Sequence, residues 1–196
     1  MSDLVSNVAV YGLADSIKAS KYPMCVDTKS CNAEVTSTVS KLAGAVPGSG
    51  HDQFLTGIVV QFDLTFTIKA WTEAERYHFL DFVSSQSTMH RICKFNLDSA
   101  YSEYVDPQII AVMKRKVWEY NENPTSDNYL RVLYSNPCGM KLTARMSTNY
   151  RQLKTIYNQR KTHRLPEWRE FCAWIETLPA AEFITGKPAE DTLPER

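Results

Sequence analysis

The most regular feature of the chain is an alternation. Ile58, Val60, Phe62, Leu64, Phe66 and Ile68 are apolar, and between them stand Val59, Gln61, Asp63, Thr65, Thr67 and Lys69, all but one polar. A period of two sustained this long predicts a strand with one buried and one polar face. Lys141 to Thr148 repeats the pattern, setting Leu142, Ala144 and Met146 against Thr143, Arg145 and Ser147, and predicts a second strand. Residues 5–12 predict a shorter first strand with a short helix behind it.

Helical spacing governs most of the rest. Glu34 to Leu42 reads as a modest helix closed by the Gly/Pro-rich turn 44–51. Thr72 with Glu75 three residues on has the form of a capping box, opening a helix to about Ser85 with Phe79, Phe82 and Val83 on one face. Residues 88–104 show no period and read as irregular. Asp106-Pro107 opens a helix to about Tyr120. Thr125 to Tyr134 is a further helix, broken by Asn136-Pro137-Cys138-Gly139. Asn149 to Lys161 and Pro166 to Leu178 complete the set. Residues 1–185 are therefore expected to form one α+β domain, a small, largely antiparallel sheet surrounded by helices, with 186–196 as a mobile tail.

Composition narrows the class. Twenty-two Lys and Arg balance twenty-two Asp and Glu, and 43% of the 196 residues are hydrophobic. That excludes a mainly disordered chain, and a surface wholly devoted to nucleic acid or anionic membrane. No apolar run approaches the roughly 20 residues that span a bilayer, and the N-terminus lacks the basic start and apolar stretch of a secretory signal. With five scattered cysteines and no Cys-x-x-Cys, the expectation is a reduced, cytoplasmic protein. The four histidines form no zinc pattern, so no metal site is expected. The glycines of residues 44–50 match neither common phosphate-loop spacing and read as a plain turn.

Locally the charge is uneven. From Lys141 to Arg169 there are eight Lys/Arg and one acid, Glu167. Arginine forks suit phosphate oxygens, although a solvated face paired with acids from elsewhere produces the same sequence. On the helix after Asn149, the residues Asn149, Leu153, Ile156 and Arg160 share one stripe. A buried Arg160 needs a partner, either an acid elsewhere in the fold or a bound anion. Tyr150 and Tyr157 among these cations would suit a single-stranded nucleic acid, yet no nucleic-acid motif accompanies them, and paired helix tyrosines usually serve packing. The segment from Thr88 to Ser99 gathers His90, Arg91, Lys94 and Asn96 where binding groups often lie. Cys93, beside cations, is either an activated thiol or, the favoured reading, an ordinary buried cysteine.

These two stretches resemble flavin-dependent thymidylate synthases. That family carries Gln-x-x-Arg-His-Arg-x-x-Ser-x-Asn-Glu-x-Ser-x-Arg after a strand reading roughly Phe-Thr-Phe. A proline, then Asn-x-Arg-x-Leu and an Arg later on the same helix, follow. Here Leu64 to Lys69 (LTFTIK) precedes Gln86, His90, Arg91, Asn96 and Ser99 in register. Pro137 precedes Asn149, Arg151, Leu153 and Arg160, also in register. The likeness spans about 100 residues. Met89, Lys94, Leu97 and Tyr101 depart from it, standing where the motif has Arg, Ser, Glu and Arg. Thr155 replaces an expected amide, with Asn158 one turn later, and the helix before the first block reads several residues longer than the family's.

The resemblance implies a homotetramer with active sites shared between subunits, binding FAD and a dUMP-like pyrimidine mononucleotide. His90, Arg91, Asn96, Asn149 and Arg151 would match flavin-contacting positions, and Gln86, Ser99 and Arg160 positions near the nucleotide. Arg131 would stand in for a phosphate-binding Arg, two residues further from Pro137 than the pattern asks. The implied reaction is reductive methylation of dUMP to dTMP, with methylenetetrahydrofolate supplying the carbon and NADPH reducing the flavin. Arg160 would hold and polarise the uracil ring. The alternatives are a diverged member that acts on another pyrimidine nucleotide or binds without catalysis, and a single-strand-binding module.

Overall fold

The computed structural model describes residues 4–46 and 48–187. At its centre β2 (Val59–Thr67) pairs antiparallel with β4 (Lys141–Asn149) in unbroken register from Val59 opposite Asn149 to Thr67 opposite Lys141. β1 (Val5–Tyr11) lies antiparallel to the other edge of β2, and β3 (Asp81–Ser85) to the other edge of β4, giving the order β1-β2-β4-β3. The alternation behaves as its period requires. Val60, Phe62, Leu64 and Phe66 are fully buried, and Ala144 and Met146 meet them from β4. The other face is polar and half-buried: Thr65 and Thr143 share a hydroxyl hydrogen bond of 2.8 Å, and Arg145 pairs with Asp63 at 3.3 Å while donating to the Asn7 carbonyl.

Helices cover the apolar face. α7 (Tyr150–Arg160) and α8 (Pro166–Ile175) bring Leu153, Ile156, Trp168, Phe171 and Ile175 onto it. Rings carry much of the contact, with Phe66 4.9 Å from Trp168 and Phe62 4.7 Å from Trp174 between centroids. α1 (Leu13–Ala19), α2 (Ser37–Ala43) and α9 (Glu182–Thr185) close the periphery. Between β1 and α1 the chain turns at Gly12, whose φ of 72° and closeness to the Gly57 carbonyl leave no room for a Cβ. A second apolar cluster, formed by Ile92, Leu97, Tyr101, Met113, Val132 and Met140, lies under α5 (Pro107–Glu122) and α6 (Ser126–Ser135). Leu142 packs against both clusters.

Three expectations are corrected. The helix placed from Thr72 to Ser85 is a short helix, α3 (Ile68–Ala74), then a turn, then the edge strand β3. Its cap is Thr67, which accepts from the Ala70 amide and donates to Glu167 at 2.7 Å; Thr72 merely donates to the Lys69 carbonyl. Phe79 and Val83 are exposed instead of forming a buried helical face. The physical cause is non-local: β4 has a free edge, and the aromatic and β-branched residues after Asp81 suit pairing with it. Within the irregular 88–104 segment stands one turn of helix, α4 (Thr88–Arg91). Finally, Cys25 and Cys31 are joined as a disulfide, whereas all five thiols were expected free. Neither belongs to either core cluster. The expected mobile tail lies outside the described residues from position 188 onward.

Two threonines five residues apart test the corrected helix start. Thr67→Ala, losing a cap and a buried hydrogen bond, is expected to cost about 1–2 kcal/mol in urea unfolding. Thr72→Ala should stay within about 0.5 kcal/mol. Equal losses would contradict this boundary.

Candidate functional site

The first block begins where β3 ends. The Gln86 backbone N–H donates to the Thr143 carbonyl at 2.9 Å, and its side-chain oxygen accepts from the Thr143 N–H at 2.9 Å, so the side chain prolongs the sheet. With Ser87, Arg91, Lys94 and Phe95 it lines an open depression of about 310 Å³. Among the described residues no carboxylate pairs with Arg91 or Lys94. His90 faces a different groove, of about 530 Å³, with Met89, Tyr120, Thr125, Tyr129 and Leu133. Asn96 organises the next turn, accepting from the Asp98 N–H with its side chain and from Ser99 with its carbonyl. Leu97 and Tyr101 turn inward, and the Tyr101 hydroxyl donates to Asn136 at 3.0 Å. Burial pushes its phenol up to about 12. Cys93 is half-buried, and burial raises its thiol despite Lys94 nearby, the opposite of an activated nucleophile.

The second block is carried by α7. Asn149 caps the helix, its side-chain oxygen accepting from the Gln152 N–H at 2.9 Å. Arg151 donates through Nε to Asp52 at 3.1 Å and through Nη1 to Gln53 at 2.9 Å. Arg160 is buried, and its partner is an acid from α3: Nη1 lies 2.9 Å from Glu73, while Nε donates to the Tyr77 hydroxyl at 2.7 Å. Trp168 lies under the guanidinium at 4.7 Å, and the His163 ring touches it at 2.8 Å. Burial alone would raise the Glu73 carboxyl. The Lys69 hydrogen bond and charge, with the charges of His163 and Arg160, outweigh it and hold the group below the ordinary glutamate range.

Two adjoining grooves run along α7. One, of about 420 Å³, holds Asn149 and Arg151; the other, of about 310 Å³, holds Arg76, His78 and Arg160; both include Phe79, Gln152 and Thr155. The fold thus sets Asn149, Arg151 and Arg160 along α7, the first two in one groove and Arg160 in the next. It does not bring them to the first block. Gln86 pairs opposite Thr143, and Asn149 stands six residues on along β4, about 20 Å away at strand spacing. Arg131 joins neither group: it is exposed on α6 and paired with Asp127 at 2.7 Å. Tyr150 and Tyr157 are buried, their hydroxyls bonded to the Pro179 carbonyl and to Glu176, so they offer no platform for stacked bases.

No family model matches this chain, and no curated protein does. Solved structures do. A flavin-dependent thymidylate synthase from Helicobacter pylori, crystallised with FAD and dUMP, superposes with a TM-score of 0.69 over 92% of this chain and 97% of its own, at 15% identity. A second structure of the enzyme from that organism, also with FAD and dUMP, gives 0.69 over 91% and 95%, at 16% identity. This chain has the flavin-dependent thymidylate synthase fold. Within that fold, Leu97 and Tyr101 convert two charged motif positions into core, and Lys94 adds a cation beside Arg91. Sequence reasoning passed over Asp52, Glu73 and Tyr77, and counted Lys154 only among the cations of its stretch. Lys154 carried a faint signal, one helical turn after Arg151; nothing near Asp52 or Glu73 in the chain announced the partner each would meet.

Arg160→Ala and Glu73→Gln each remove one charge from a buried ion pair, leaving the other with only its remaining partners, and are expected to cost about 3 kcal/mol in denaturant unfolding at neutral pH. Because the Glu73 carboxyl is held low, its contribution is complete above the ordinary glutamate value, about 4.3, and is lost as pH falls through the depressed one. The gap between wild type and Glu73→Gln should therefore narrow only in strong acid. A gap already closed at pH 5 would refute this assignment.

Proposed function

We propose that the protein catalyses the flavin-dependent reductive methylation of dUMP to dTMP, using methylenetetrahydrofolate and NADPH, as a homotetramer with sites shared between subunits. The observation that carries this reading is the separation of the two motif blocks. Gln86 and Arg91 line an open groove near one end of β4, Asn149 and Arg151 another at its far end, and each presents cations that a second copy would bring face to face. The fold it shares with FAD- and dUMP-bound enzymes supports the choice of ligands.

The residues present suit such ligands. Arg91 and Lys94, with no carboxylate between them, are placed for phosphate oxygens. Phe79, exposed between the two α7 grooves, offers an aromatic wall for a flat ring. Arg160, pinned by Glu73 and Tyr77, is a fixed donor at a groove edge, where it would meet uracil carbonyls as they gain negative charge. Bound flavin, once reduced by NADPH, supplies the hydride. The chain's own task is alignment, exclusion of water and charge. This reading places the protein in the cytoplasm and takes residues 1–185 as one functional domain.

One observation favours a second reading. The motif's first Arg, its Glu and its final Arg are replaced by Met89, Leu97 and Tyr101, the last two buried, so the first block lacks three of its charges. A diverged protein that binds flavin or a related pyrimidine nucleotide without this turnover would have that form.

The purified protein is expected to be yellow or to take up FAD, and to release tritium from 5-tritiated dUMP when folate and NADPH are supplied. Flavin uptake without release selects the second reading; no flavin uptake at all overturns both. Arg91→Ala and Arg151→Ala should each lower turnover at least about tenfold. When co-expressed they should regain part of it, because some sites in the mixed tetramer draw an intact half from each chain. Absence of any recovery would argue against shared sites.

A further inference from the structure

Asp52 is the most deeply buried carboxylate on a groove wall, 2% exposed, and it bridges two cations from α7. Oδ2 accepts from the Lys154 ammonium at 3.0 Å, and Oδ1 from Arg151 Nε at 3.1 Å. The ammonium's other two hydrogens go to the carbonyls of Ala43 and Ala45, at 2.6 and 2.8 Å, where α2 ends. All three of its donors are therefore spent inside the protein. One cation cancels Asp52, and the charge of Arg151 remains uncompensated.

The geometry of Arg151 gives that charge a direction. Nε and Nη1 are tied to Asp52 and Gln53, leaving Nη2 as the nitrogen without a protein acceptor among the described residues. The side chain is one-third exposed and lines the groove of about 420 Å³, with Thr56, Gln152 and Thr155 beside it. A guanidinium held at two of its three nitrogens loses little freedom when the third receives an anion.

We propose that Asp52 is a positioning residue: charge-cancelled by Lys154, it locks the Arg151 fork so that Nη2 receives a phosphate group of a nucleotide ligand in the α7 groove. The inference deepens the flavin–nucleotide reading above and rests on it for the ligand. Two sources share this chemistry, the pyrophosphate of FAD and the monophosphate of dUMP, and separate titrations distinguish them.

The test titrates the full-length protein with FAD, with riboflavin and with dUMP. Asp52→Asn is expected to weaken one phosphate-bearing ligand about tenfold. Riboflavin, which lacks phosphate, should bind as to wild type. Arg151→Ala should show the same selective loss, and the double variant no further loss, since both act through one contact. Asp52→Glu should recover part of the affinity. Should Asp52→Asn fail to fold, Gln53→Ala removes the other anchor from an exposed position and should weaken the same ligand several-fold. Unchanged affinity for both phosphate ligands, or equal weakening of riboflavin, overturns the proposal while leaving the proposed reaction standing. If wild type binds neither FAD nor dUMP, the reaction falls, and inorganic pyrophosphate probes the clamp alone. Binding lost in Arg151→Ala and weakened in Asp52→Asn then supports the clamp, and no binding by wild type overturns it as well.

Discussion

The antiparallel ladder between β2 and β4 is the constraint on which the rest of the molecule depends. It is the longest pairing in the sheet, and its apolar side presents Val60, Phe62, Leu64, Phe66, Ala144 and Met146 as one surface. A one-residue slip would turn all of these to the polar face, so the hydrophobic pattern and the register enforce each other. α7 follows β4 directly, the last strand residue Asn149 serving as its cap, and β3 pairs along the outer edge of β4. Both motif blocks thereby take their positions from one strand. Their separation of about 20 Å is a property of that strand's length.

Around this frame, four of the eight cations between Lys141 and Arg169 pair with acids from other elements. Arg145 meets Asp63, Arg151 and Lys154 meet Asp52, and Arg160 meets Glu73. The same pairings serve the site. Glu73 receives Lys69, Arg160 and the Trp168 N–H, so the Arg160 guanidinium is held in one place against an indole ring. Fixed donors of this kind cost no reorganisation when charge develops beside them. Stability and candidate function here draw on the same contacts, which is why the buried cations cannot be read as either one alone.

How much of this was legible varies with the range of the interaction. The two central strands, the caps at Asp106, Thr125 and Asn149, and the proline-led helices α5 and α8 follow from residues within a few positions of one another. Phe79, Phe82 and Val83 misled because spacings of three and four residues suit a helix in isolation, whereas the unpaired edge of β4 recruits that segment as a strand. At the candidate site, the motif positions were visible from spacing. Their companions were not: Asp52 lies 99 residues from Arg151, and Glu73 lies 87 from Arg160.

The sequence by itself determined the apolar and polar faces of the sheet, the main helices and the residues that carry the family likeness, because those depend on period, capping and local order. Tertiary structure decided which acid meets which cation, that Tyr150, Tyr157, Leu97 and Tyr101 are core, and that the two motif blocks stand apart in one chain. Ion pairs and packing between residues a hundred positions apart leave no periodic trace in the chain; only the assembled sheet and its covering helices bring them within bonding distance.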